Sequence, residues 1–152
     1  MKKIFLVFIS LFLVSFAFSQ VDSTNTKIYR NDTLAARLNQ SLAKITIDKE
    51  NYFLKCAFTH ATPSHGIRKP YYWNIFLRTT HVSVIPENIK PLKLFIITDT
   101  LIYEYSYLPN AHCWSKTSDL YEKPLSVVVE FVDIKTNRKY FVKAKGPFVT
   151  KH

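Results

Sequence analysis

Leu125-Ser126-Val127-Val128-Val129-Glu130-Phe131-Val132-Asp133-Ile134 runs into Lys135-Thr136-Asn137-Arg138 and returns as Lys139-Tyr140-Phe141-Val142-Lys143-Ala144-Lys145. The first run is rich in β-branched residues, which pack well on a pleated surface. Four polar residues then make a turn, and an alternating segment follows. Two such runs around a short polar break spell a β-hairpin. In a strand, successive side chains point to opposite faces. The returning segment therefore separates Lys139, Phe141, Lys143 and Lys145 from Tyr140, Val142 and Ala144. The second set predicts the core side.

The same period continues upstream. Tyr52 to Thr59, Tyr71 to Thr79, His81 to Ile85, Leu92 to Thr98 and Leu101 to Leu108 all read as strands. Loops are expected over His60–Pro70, between Pro86 and Pro91, and over Pro109–Pro124. Helical spacing occurs once, in the stripe Leu34, Leu38, Leu42 and Ile45, with Asp32 or Thr33 as cap. After Ala43 the period changes to two, Ile45 and Ile47 alternating with Lys44, Thr46 and Asp48, and Lys49-Glu50-Asn51 reads as a turn. The expected architecture is mainly β. It is one antiparallel β-sandwich or small barrel over residues 32–152, opened by a single short helix.

Cys56, Trp73 and Cys113 stand in an order that resembles the two cysteines and core tryptophan of an immunoglobulin domain. That resemblance implies an immunoglobulin-like sandwich. Ala111 stands where that family carries its corner tyrosine, so the resemblance extends to architecture alone.

The opening of the chain predicts export. Met1-Lys2-Lys3 is a short basic head, Ile4 to Phe16 carries no charge, and Ala17 and Ser19 are small residues suited to cleavage before Gln20. This is the order of a secretory signal peptide, here 1–19. The apolar run is shorter than the roughly 20 residues that a spanning helix needs. Residues 20–31 are polar and aperiodic and read as a flexible leader. The expected location is the bacterial periplasm or the exterior, with no integral membrane segment after cleavage.

The chain has 21 Lys and Arg against 11 Asp and Glu, a net charge of +10. Inside a cell this would suggest nucleic acid. For an exported chain no nucleic-acid partner is expected. The fitting partners are an envelope protein, a glycan or another anionic surface. An oxidising compartment also predicts a disulfide between Cys56 and Cys113, worth about 4 kcal/mol of chain entropy for so long a loop.

The sequence shows no G-x-S-x-G, and its two glycines cannot build a phosphate-cradling loop. A non-enzymatic binding domain without cofactor is expected. The alternatives are a small copper or zinc protein using His60, His65 and His112, or a divergent secreted hydrolase. Two rows suit binding. Tyr103, Tyr105 and Tyr107 share one strand face and could stack against sugar rings or a protein. Lys139, Phe141, Lys143 and Lys145 form a basic face around one aromatic ring.

Overall fold

The computed structural model describes residues 26–30, 33–60, 70–81, 87–106, 113–116 and 120–148. The elements run β1 (Lys27–Arg30), α1 (Thr33–Asn39), β2 (Lys44–Ile47), β3 (Glu50–His60), β4 (Tyr71–Thr79), β5 (Ile89–Ile97), β6 (Leu101–Ser106), β7 (Cys113–Lys116), β8 (Ser126–Asp133) and β9 (Arg138–Lys145). They form two antiparallel sheets, ordered β1-β6-β5-β8-β9 and β2-β3-β4-β7. The described residues form no closed barrel, so the architecture is that of a sandwich. The signal segment 1–19 lies outside the described residues.

The two sheets bury one core between them. The four-stranded sheet contributes Tyr52, Phe58, Trp73, Ile75 and Leu77. The five-stranded sheet contributes Leu94, Ile96, Tyr103, Tyr105, Val127, Val129, Phe131 and Val142. Trp73 meets Tyr105 with ring centroids 5.1 Å apart, and Tyr52 meets Phe131 at 5.7 Å. Burying a large apolar side chain stabilises by about 1.5–3 kcal/mol.

A second apolar cluster lies on the outer face of the five-stranded sheet. There Ala35 and Leu38 of α1 cover Phe95, Ile97, Ile102 and Val128, with Leu34 and Phe141 packed alongside. The five-stranded sheet is therefore sandwiched itself. This explains why Val127, Val128 and Val129 are all apolar: odd positions face the other sheet and Val128 faces the helix. Strands covered on both faces read as continuous hydrophobic runs.

Turn chemistry fixes the hairpin registers. Asn137 adopts φ 54°, the left-handed region that asparagine tolerates, and Asp133 Oδ1 accepts a hydrogen bond from Lys135 N at 3.1 Å. The β2–β3 hairpin turns at Asp48 and Lys49, with φ of 49° and 68°, one residue ahead of the expected Lys49–Asn51 turn. Ile47 then pairs with Glu50, the two-residue loop that such a positive-φ pair serves. Pro91 lies inside β5 beside a register shift between Pro91 and Lys93, a bulge that accommodates its missing N–H.

Four expectations need correction. The leader ends earlier than residue 31, because Lys27–Arg30 pairs with β6 as an edge strand. The helix is shorter than its apolar stripe and does not reach Leu42. The helix stops at Asn39, and Ile45 belongs to β2. The long loop expected over Pro109–Pro124 contains β7, which pairs with β4. The expected disulfide is absent, and Cys56 is a free thiol. Cys56 pairs with Ile75 and Cys113 with Phe76, so β4 runs between the two cysteines. Two inter-strand steps amount to roughly 9–10 Å, beyond the Cα separation of about 7 Å that a disulfide can bridge. Burial pushes the Cys56 thiol up to about 12, so it is an inert core thiol.

Candidate functional site

The strand registers sort the sequence-predicted binding residues. Tyr103 and Tyr105 face the opposite sheet and are almost fully buried, at 4% and 0% exposure. A stacking platform needs exposed rings, so these two are core residues and the tyrosine face is not a binding surface. Tyr107 lies outside the described residues, as do His65 and His112. His60 is described and stacks on Tyr71 at 4.4 Å. Among the described residues no group of three or more His, Cys, Asp or Glu comes together as a metal site would require.

The outer face of the five-stranded sheet carries an ordered row of charge. Lys139 on β9, Glu130 on β8, Lys93 on β5, Glu104 on β6 and Lys27 on β1 succeed one another across all five strands. Lys139 Nζ meets Glu130 Oε1 at 3.1 Å, and Lys93 Nζ meets Glu104 Oε1 at 2.8 Å. Tyr29 donates its hydroxyl to Glu104 Oε2 at 2.9 Å. Burial pushes the Glu104 carboxyl up, but the hydrogen bonds from Lys93 and Tyr29 outweigh it and hold the group below its ordinary value. Both acids of this row are thus internally paired.

The basic face of β9 is divided by the helix. Phe141 packs against the α1 cluster, and Lys143 donates from Nζ to the carbonyl of Asn39 at the helix C-terminus. A cation there satisfies an orphan carbonyl and complements the helix dipole. Lys143 and Lys145 line one depression of about 360 Å3 with Asn39, Ile97 and Leu125. Lys139 and Phe141 line another, of about 330 Å3, on the other side.

This second depression is lined from three elements. Arg37 and Leu42 approach from the helix and its exit, Ile45 from β2, and Arg138, Lys139, Tyr140 and Phe141 from β9. No acidic residue lines it. The Arg138 guanidinium lies 5.6 Å from the centroid of the Tyr140 ring, within cation–π reach. Leu42 is 64% exposed beside it. Arg138 and Tyr140 belong to the inner side of β9, Lys139 and Phe141 to the outer side. Residues of both faces line one groove, so the groove wraps the free edge of the strand.

Sequence reasoning located Lys139 and Phe141 but missed Arg37 and Arg138. Arg37 reads as a generic helix former, and Arg138 as a turn residue. The spacing of the two carries no signal, because only the packing of α1 against β9 brings them together.

No protein-family model, no curated protein and no solved structure matches this chain. Among the described residues no helix is long and apolar enough to cross a membrane.

Proposed function

We propose that this chain is an exported, non-enzymatic binding domain of the bacterial cell envelope, and that its ligand is anionic and sits in the groove at the β9 edge. The observation that carries the reading is the groove lining: Arg37 and Arg138, with Lys139 already paired to Glu130, stand beside Leu42, Tyr140 and Phe141, and no acid is among the lining residues. Removal of residues 1–19 takes Lys2 and Lys3 with it and leaves 19 basic against 11 acidic residues, and this net charge of +8 favours encounter with anions over long range. Export rests on the signal-like opening Met1–Ser19. Cell fractionation with N-terminal sequencing tests it, with a mature chain starting at Gln20 expected.

Binding is tested by titrating the purified protein with dextran sulfate and with neutral dextran. Saturable binding of the sulfated polymer alone is expected, and it should weaken at high salt. Reversing the groove charge with Arg37→Glu and Arg138→Glu should remove it, while Lys27→Glu and Lys145→Glu together should leave most of it. Equal losses in both double variants would mean that net charge, and not the groove, holds the anion.

A further inference from the structure

The groove is the open continuation of a strand-pairing edge, and this specifies its ligand further. β9 is the last strand of its sheet, and residues of such an edge carry backbone N–H and C=O groups that no sheet neighbour takes. The chain already uses part of this edge. Leu42 makes a parallel bridge with Val142, and Lys143 N donates to Leu42 O at 2.7 Å. Backbone groups alternate sides along an antiparallel strand. Lys139 and Phe141 therefore direct theirs to the same edge as Lys143, on the stretch that lines the groove. Gly146 N, on the alternate phase, donates inward to Leu125 O at 2.8 Å. The segment around Leu42 shows that the edge accepts a strand; its bridge flanks Phe141 and Lys143 and does not reach Lys139.

We propose that the groove docks an extended acidic polypeptide segment of a partner protein, which adds as a further strand along Arg138–Phe141. The proposal rests on the anion-binding reading above and narrows it. An added strand would point alternate side chains to the two sides of the sheet. One set falls towards Arg37 and Lys139, the other towards Arg138 and Ile45. The lining thus offers a cation on each side of the edge, which suits a segment with acidic residues on both faces. A lysine-guarded edge repels basic or apolar strands, and the same charges select an acidic one. A second copy of this chain fits poorly, since each copy without residues 1–19 carries 19 basic against 11 acidic residues, a net +8.

The test uses the full protein and a labelled short peptide alternating glutamate and valine, followed by fluorescence anisotropy. Four competitors are compared: the same peptide N-methylated at alternate amides in each of the two phases, a lysine–valine peptide, and dextran sulfate. Saturable binding of the acidic peptide is expected, with a loss of roughly tenfold or more on N-methylation in one of the two phases, since two ladder hydrogen bonds go. The lysine peptide should not compete, and Arg138→Glu should weaken binding roughly tenfold while circular dichroism stays unchanged. If both N-methylated phases bind as well as the parent, strand addition is overturned and the groove is an unspecific anion site. If dextran sulfate binds and the peptide does not, the ligand is a polyanion and the peptide proposal fails while the broader reading stands. If neither binds, both fail.

Discussion

β6 and β9 both alternate strongly, and each offers one row that looks made for binding, yet the fold treats them in opposite ways. β6 is an inner strand whose Tyr103 and Tyr105 face the second sheet and vanish into the core. β9 is an edge strand whose Lys139 stays 62% exposed at its side chain and borders a groove. Period two separates two faces but does not say which is buried. Position in the sheet decides that, and strand order is set by long-range pairing that no local pattern records.

The comparison can be broken most severely at Tyr105. Replacing this fully buried ring by alanine should cost about 3–5 kcal/mol in urea denaturation, as for other large core aromatics. A cost below about 1 kcal/mol would return the tyrosine row to the surface. On β9, Phe141→Ala should cost about 1–2 kcal/mol, because the ring is only half-buried against α1. Lys143→Ala should cost about 0.5–1 kcal/mol, measured the same way, through loss of the hydrogen bond to Asn39 and its interaction with the helix terminus.

The acid on β6 sharpens the contrast through pH. Glu104 is held below its ordinary value, so its stabilising contribution is present above the carboxylate range and is lost as pH falls through it. Stability should decline between roughly pH 5 and 3. Asp133 titrates with the same sign, because hydrogen bonds from Thr136 and Asn88 hold it down. Glu104→Gln should therefore make the decline shallower without abolishing it. An unchanged slope would mean that the Lys93 and Tyr29 contacts do not favour the ionised form.

Much of the sandwich was legible. The β8–β9 hairpin followed from its β-branched run, its polar turn and the alternation of its return, and the core side Tyr140 and Val142 followed with it. The short helix was legible from Leu34 and Leu38, but its place on the outer face of the five-stranded sheet was not, because that packing joins residues far apart in the chain. β7 escaped because Cys113-Trp114-Ser115-Lys116 is too short to alternate, and β1 because its four residues are exposed and mixed. The cysteines illustrate the same limit. Their number and compartment suggested a bond, while the register placed β4 between them. In the binding site, Lys139 and Phe141 were visible as members of a row. Arg37 lies about a hundred residues upstream, and only folding joins it to that row.

The account is tested most directly by two-dimensional amide NMR of the full protein during titration with the glutamate–valine peptide. Progressive shifts confined to Arg37, Leu42 and Arg138–Phe141 are expected, with Lys139 and Phe141 amides moving most. Shifts centred instead on the exposed Tyr72 and Tyr121, or spread evenly over surface lysines, would contradict a binding groove at the β9 edge.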